Sequence, residues 1–131
     1  MKILITGGAG FLGSRLARTL LARSTLDGRQ PGKIVLADRI APPAELLADS
    51  RVEARTGELL TQAAALGAEG FDGVFHLASA VSAECEADFE LGLCSNVDST
   101  RALLDGVRRA GTAPRFVFAS SLALYGRDPA R

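Results

Sequence analysis

The stretch Ile3-Leu4-Ile5-Thr6-Gly7-Gly8-Ala9-Gly10-Phe11-Leu12-Gly13 decides the fold of this chain. Its three leading apolar residues predict a buried strand, and leucines at four-residue spacing from Leu12 onward predict a helix. The three glycines between them, at Gly-x-x-Gly-x-x-Gly spacing, allow a tight turn that brings backbone N–H groups close to a ligand. Because the positive N-terminal end of a helix favours phosphate, the stretch predicts a turn that binds the pyrophosphate of a dinucleotide.

The composition is that of one globular α/β domain. The chain has 131 residues, and its 15 basic and 15 acidic side chains cancel, so no net charge attracts nucleic acid or an anionic membrane. No apolar run approaches the roughly 20 residues of a membrane span, and no secretion signal is recognisable. Cys85 and Cys94 form neither a C-x-x-C pair nor a metal-ligand cluster. We therefore expect a cytoplasmic protein with two reduced thiols and no bound metal.

Five apolar runs separated by helical patterns predict a parallel sheet with helices on both faces. Right-handed crossovers place the first strand centrally, which gives a Rossmann-type doubly wound sheet of order 3-2-1-4-5. Ligands then bind at the carboxyl ends of the first and fourth strands. The predicted strands are 2–6, 33–38, 51–55, 73–78 and 115–119, and the predicted helical segments are 11–23, 44–48, 58–66 and 86–110.

Asp38 ends the second predicted strand, 25 residues after Gly13. An acid at that position accepts hydrogen bonds from the adenosine ribose hydroxyls and repels a 2′-phosphate, which favours NAD. The alternative is that Asp38 only caps the following turn. Arg39 follows directly and offers a charge for a 2′-phosphate, so NADP remains the second choice of cofactor.

Three polar residues invite a catalytic reading. His76 is the only histidine, but it lies within the fourth strand, so we expect a packed and hydrogen-bonded side chain. Ser120 and Ser121 follow the fifth strand, at the edge where catalytic groups collect. The G-x-S-x-G elbow of a serine hydrolase is absent around them, which favours a serine that hydrogen-bonds substrate, with a turn-capping serine as the alternative.

Taken together, these segments resemble the extended short-chain dehydrogenase/reductase family, also called NAD-dependent epimerase/dehydratases. The resemblance implies a helix asparagine beside the active site at Asn96 and an active-site serine at Ser121. It implies departures from the family pattern at Glu58, where Asp is common, and at Ser79, where Ala or Gly is common. The matching segments are 6–13, Asp38, 76–78, 96–100 and 120–126. The cofactor contacts that the resemblance implies are Gly7, Gly10, Phe11, Leu12, Gly13, Asp38, Glu58, Leu59, Leu77, Ala78, Ser79 and Asn96.

Within the family, segment 78–89 resembles the D-erythronate dehydrogenase branch, which oxidises four-carbon sugar acids. This implies that Ser79 and Ser82, together with Ser120 and Ser121, bind a small sugar-acid substrate while hydride passes to NAD. Two alternatives stay open at this point. One is an NAD-dependent sugar-nucleotide epimerase or dehydratase, and the other is a non-catalytic dinucleotide-binding module.

The family's proton-transfer pair is a Tyr-x-x-x-Lys motif some 25 residues beyond the serine. The only tyrosine is Tyr125, and the only lysines are Lys2 and Lys33, so no such pair occurs in these residues. The resemblance therefore implies that 1–131 is the amino-terminal NAD-binding Rossmann domain of a longer enzyme. It also implies that this part is inactive alone, that a separate substrate domain follows, and that the full-length protein is a homodimer.

Overall fold

The computed structural model describes residues 1–126. Five strands alternate with helices along the chain, and their bounds lie within two or three residues of those predicted for most elements. The strands are β1 Lys2–Thr6, β2 Lys33–Asp38, β3 Val52–Thr56, β4 Gly73–His76 and β5 Arg115–Phe118. The helices are α1 Phe11–Ala22, α2 Ala44–Leu47, α3 Leu59–Ala68, α4 Ser82–Ala87, α5 Phe89–Gly92 and α6 Ser99–Ala110, with a π-helical turn at Leu93–Asp98 and a 3-10 helix at Leu122–Tyr125.

The strands form one parallel sheet in the order β3-β2-β1-β4-β5, which confirms the predicted Rossmann-type topology. Leu4 on the central strand is in register with Val35 of β2 and Val74 of β4. The order reverses between β1 and β4. Because crossovers leave in opposite directions there, a crevice opens at the carboxyl ends of these two strands.

Alternate residues of the strands pack into two hydrophobic cores, one on each face of the sheet. Leu4, Val74 and Phe71 pack with Leu66 of α3 and Leu103 of α6 on one face. On the other face, Ile3, Ile5 and Ile34 pack with residues of α1 and α2. Burial on both faces explains why β1 and β2 are continuous apolar runs. Within residues 1–126, no helix is long and apolar enough to cross a membrane.

Two predicted elements were wrong in extent. The helical segment predicted over 86–110 begins earlier, at Ser82, and is broken at Asp88, whose carboxylate accepts the N–H of Leu91 and so starts a new helix. The fourth strand ends at His76 rather than at 78. Its next N–H groups turn to Thr6, whose carbonyl and hydroxyl accept the N–H of Leu77 at 3.2 Å each.

Candidate dinucleotide and substrate sites

A cleft of about 580 Å³ lies at the carboxyl ends of β1 and β4, where the strand order reverses. We call it the glycine-loop cleft. It brings together eleven of the twelve residues predicted to contact a cofactor. These are Gly7, Gly10, Phe11, Leu12, Gly13, Asp38, Glu58, Leu59, Leu77, Ala78 and Ser79.

Glycine is required at two points of the turn that forms the floor of the cleft. Gly7 has a φ of 69°, and a Cβ there would lie 2.9 Å from the Ala78 nitrogen. A Cβ on Gly13 would lie 2.1 Å from the Gly7 carbonyl oxygen, closer than any real contact. The absence of both side chains lets the backbone of 77–78 and the start of α1 pack directly against the turn, an approach that a side chain would block.

Helix α1 begins at the end of this glycine turn. Its N-cap, Gly10, has no side chain to accept the N–H groups of the first turn, which remain for a ligand. Phe11 and Leu12 in that turn are 78% and 61% exposed. Uncapped N–H groups and the positive end of the helix form a ready anion site, so the turn fits the pyrophosphate of a dinucleotide.

Asp38 lies on the rim of the cleft at the end of β2. Its Oδ2 accepts the backbone N–H of Ala9 at 3.0 Å, and its Oδ1 accepts a longer bond of 3.4 Å from Ile40. The carboxylate is therefore fixed against the glycine turn and also begins the next turn. The structure thus contains the capping contact, and it also places the carboxylate on the lining of the cleft.

Charge along the cleft is negative on balance. Asp38 and Glu58 line it together with Arg39, whose guanidinium lies 3.7 Å from the Glu84 carboxylate of α4. The pair is exposed and adds little stability. It nevertheless places a carboxylate beside the one cation among the described lining residues, which disfavours a 2′-phosphate there.

A second cavity of about 710 Å³ adjoins the cleft, and we call it the hydroxyl cavity. The two spaces share the segment 77–80, so Ser79 faces both. The predicted substrate residues Ser79, Ser82, Ser120 and Ser121 all line the hydroxyl cavity, with Asn96, Thr100 and Glu86. Glu86 is the only charged side chain among its described lining residues.

Ser121 caps a turn, which is one of the two roles that the sequence left open. Its hydroxyl oxygen accepts the N–H of Ala123 at 3.2 Å and so caps the 3-10 helix. A serine hydroxyl that accepts one bond still has a proton to donate. Ser121 therefore caps a turn and can donate a hydrogen bond into the hydroxyl cavity.

Asn96 is placed differently from the other predicted cofactor residues, because it lines the hydroxyl cavity rather than the glycine-loop cleft. Its Oδ1 accepts the Ala80 N–H at 2.8 Å, and its Nδ2 donates to the Ala80 carbonyl at 3.1 Å. The amide thereby fixes the segment between the two spaces. Asn96 lies in the π-helical turn, a feature common at functional sites.

His76 is packed and hydrogen-bonded, as the sequence predicted. It is 1% exposed, and its ring lies against Phe116 and Phe118 with centroids 6.2 and 5.7 Å away. Its two nitrogens contact the hydroxyls of Thr6 and Thr100 at 2.6 and 2.8 Å. None of these four neighbours ionises in this range, and burial lowers the pKa of His76 below its ordinary value of 6.5.

The lowered pKa of His76 predicts that stability falls as the solution is acidified below pH 6.5. Below that pH the unfolded chain binds a proton on the histidine that the folded chain resists until its own lower pKa. The contribution is thus complete above pH 6.5 and declines with a slope of up to about 1.4 kcal/mol per pH unit. Urea unfolding at several pH values between 5 and 7.5 measures it. His76→Gln should flatten the slope, and an unchanged slope in that variant would contradict the prediction.

Three features of the site were not predicted from the sequence. They are the Arg39–Glu84 ion pair, the contacts of the Thr6 and Thr100 hydroxyls with His76, and the hydrogen bonds between Asn96 and Ala80. Thr6 is a polar residue at the end of the apolar strand that precedes the glycine turn. That pattern is the only local signal that any of the three carried. The other contacts join residues 16 to 45 positions apart, which no local pattern reveals.

Comparison with known proteins gives the family. A model of the NAD dependent epimerase/dehydratase family matches residues 3–131. The chain is 48% identical over 132 residues to D-erythronate dehydrogenase of Cupriavidus necator, covering 96% of this chain and 40% of that protein. It is 41% identical over 133 residues to the enzyme of the same name from Haemophilus influenzae, covering 98% and 40%. The chain thus spans about two-fifths of the length of these relatives.

Solved structures agree with this assignment. A nucleoside-diphosphate-sugar epimerase from Agrobacterium tumefaciens superposes with a TM-score of 0.86 at 39% identity, over 94% of this chain and 38% of that one. A double mutant of the dTDP-glucose 4,6-dehydratase DesIV from Streptomyces venezuelae, solved with NAD bound, gives a TM-score of 0.80 at 29% identity, over 98% and 42%. The chain belongs to the NAD-dependent epimerase/dehydratase family.

Proposed function

We propose that this chain is the NAD-binding part of an oxidoreductase that moves a hydride from a hydroxyl carbon of a small sugar acid, similar to D-erythronate, to NAD. The observation that carries the proposal is the pair of adjoining spaces that share segment 77–80. One has the glycine turn and Asp38 of a dinucleotide site, and the other is lined by hydroxyl side chains. A hydride passes only between groups in contact, so such a reaction needs a cofactor site and a substrate site that adjoin each other.

In this proposal each part of the chain has a limited role. The glycine turn and the start of α1 hold the pyrophosphate, and Asp38 holds the adenosine ribose. NAD, when bound, supplies the hydride acceptor. Ser121 donates a hydrogen bond to the oxygen of the reacting carbon, while Ser79, Ser82 and Ser120 bind the remaining hydroxyls. The proton acceptor is expected outside residues 1–126, as a Tyr-x-x-x-Lys pair.

The charges of the hydroxyl cavity refine the orientation of the substrate. Its described lining contains hydroxyls, the Asn96 amide and the Glu86 carboxylate, and it contains no Lys or Arg. A substrate carboxylate beside Glu86 would be repelled. We therefore propose that the hydroxyl-bearing carbons contact this part of the protein and that the carboxylate points away from it.

A second candidate function is sugar-nucleotide epimerisation, favoured by the structural match to the Agrobacterium epimerase. The two differ in net chemistry, since an epimerase returns the hydride to its substrate and accumulates no NADH. The full-length protein incubated with NAD and either D-erythronate or UDP-glucose should form NADH, followed by absorbance, with the sugar acid only. Epimerised UDP-sugar without NADH would support the alternative. Neither product would leave the non-catalytic module.

In the full-length protein, Ser121→Ala should lower kcat with D-erythronate by roughly 10²-fold, the loss typical when one donor to a reacting oxygen is removed. NAD affinity should remain, because Ser121 does not line the glycine-loop cleft. Ser24→Ala, on the exposed loop after α1, is the matched control and should leave kcat unchanged. A Ser121→Ala variant with full kcat would reduce this serine to its role as a turn cap.

A further inference from the structure

The segment 77–80 lines both the glycine-loop cleft and the hydroxyl cavity, and it is held at both ends. At its start, the Thr6 hydroxyl oxygen accepts the N–H groups of Leu77 and Ala78 at 3.2 Å each. At its end, the Asn96 amide binds both the N–H and the carbonyl of Ala80. His76 lies between these two anchors and contacts both Thr6 and Thr100.

The direction of every hydrogen bond in this network follows from its partners. The Thr100 hydroxyl donates its proton to the Asn96 carbonyl at 2.7 Å, so it can only accept from His76 Nε2–H. A neutral ring that is protonated on Nε2 has a bare Nδ1, which accepts the Thr6 hydroxyl proton. The Thr6 oxygen then uses both lone pairs for Leu77 and Ala78. Every proton of the two hydroxyls and the ring thus has an acceptor, and each ring nitrogen makes one hydrogen bond.

We propose that His76, in its neutral Nε2–H tautomer, is a positioning residue that joins the two anchors and holds segment 77–80 in one conformation. It lines neither cavity and so acts through Thr6 and Thr100. Moving the ring proton to Nδ1 would set it against the Thr6 hydroxyl proton, which would lose its acceptor, and would leave the bare Nε2 facing a lone pair of the Thr100 oxygen. The reversed arrangement is therefore disfavoured. The consequence for ligands rests on the proposed function, because only then do the two spaces hold cofactor and substrate.

The tautomer is tested by nitrogen NMR of the full chain carrying ¹⁵N-labelled histidine. The ring signals of His76 are assigned as those missing from His76→Gln. We expect Nε2 in the protonated range and Nδ1 in the unprotonated range at pH 7.5. The reverse pattern, or two tautomers in exchange, would overturn the proposal. This measurement needs neither cofactor nor substrate.

The positioning role is tested with Thr6→Val and Thr6→Ser. Valine has the shape of threonine without its hydroxyl, so Ala78 loses its acceptor and Leu77 keeps only the Thr6 carbonyl. Amide hydrogen exchange should therefore accelerate on the order of tenfold at Ala78 and by less at Leu77. Serine keeps the hydroxyl and should restore slow exchange. Thr19→Val, which removes a side-chain bond on the exposed face of α1, is the control. Equal acceleration throughout β1 would show a general loss of stability and overturn the specific role.

Calorimetric titration with NAD tests whether the hydrogen bonds of Thr6 and His76 affect binding of the cofactor in the glycine-loop cleft. Thr6→Val should weaken NAD binding about threefold to tenfold, and Thr6→Ser should recover most of the loss. If the unaltered chain binds NAD and Thr6→Val binds it equally well, the positioning inference fails. If the unaltered chain does not bind NAD, the proposed function fails, while the tautomer and the exchange rates still decide whether His76 fixes the segment.

Discussion

Gly13→Ala is expected to weaken NAD binding by about one to two orders of magnitude. The added methyl would lie 2.1 Å from the Gly7 carbonyl oxygen and 2.8 Å from the Gly8 Cα. Both neighbours are backbone atoms of the turn itself, so they cannot move aside as a flexible side chain would. The turn must open, which removes the first-turn N–H groups of α1 from their common direction. Overpacking of this kind costs about 1–3 kcal/mol, which corresponds to a factor of about 5 to 150 if the whole cost falls on binding.

The control for Gly13→Ala is Gly28→Ala, in the loop between α1 and β2. Gly28 has a φ of 72° and open space around its Cα, so alanine there strains the backbone without touching the cleft. It should lower stability and leave NAD affinity unchanged. Calorimetric titration of both variants, with thermal unfolding in parallel, separates the two effects. NAD affinity retained by Gly13→Ala would show that the cofactor does not approach this turn.

Asp38→Ala is expected to remove most of the preference for NAD over NADP. The substitution removes the acceptor for ribose hydroxyls and the charge that repels a 2′-phosphate, and it leaves Arg39 beside the vacated position. NAD should bind about tenfold or more weakly, and NADP should bind more tightly than to the unaltered chain. If the preference for NAD is unchanged, the ribose role of Asp38 is wrong.

Two further variants sharpen the Asp38 experiment. Asp38→Asn keeps an oxygen that accepts the Ala9 N–H at the glycine turn but carries no charge. It should admit NADP while leaving the turn intact, which separates repulsion from loss of structure. Asp105→Asn, on the exposed side of α6, makes the same chemical change far from the cleft and should alter neither affinity.

Much of the fold is predictable because buried parallel strands have a clear sequence pattern, a continuous apolar run. The runs at 2–6 and 33–38 are apolar throughout, since both faces of the sheet are covered, and their predicted bounds match the structure. Strand order then follows from crossover handedness. The end of β4 was not predictable in this way. Leu77 and Ala78 extend the apolar run but bind the Thr6 hydroxyl, 71 and 72 positions away in the sequence.

The residues of the site also fall into two groups: those that a local sequence pattern predicts and those that depend on tertiary contacts. Glycines with a positive φ or a close backbone neighbour have no substitute, so Gly7 and Gly13 leave a pattern in the sequence. The break at Asp88 and the π-helical turn at Leu93–Asp98 have no sequence pattern that distinguishes them from one continuous helix. The contacts made there are tertiary, above all the Asn96 amide on Ala80. Asn96 was accordingly predicted as a cofactor contact but lies on the hydroxyl cavity, where its role toward the cofactor stays a prediction.

The central claim is that the glycine-loop cleft binds NAD and selects it by the charge at the end of β2. Isothermal titration of the unaltered chain with NAD and, separately, with NADP tests this claim most directly. Asp38 at the rim and Glu84 beside Arg39 both oppose a 2′-phosphate. We predict that NAD binds at one site, at least about tenfold more tightly than NADP. Equal affinities for the two dinucleotides, or no heat of binding with NAD, would contradict the account.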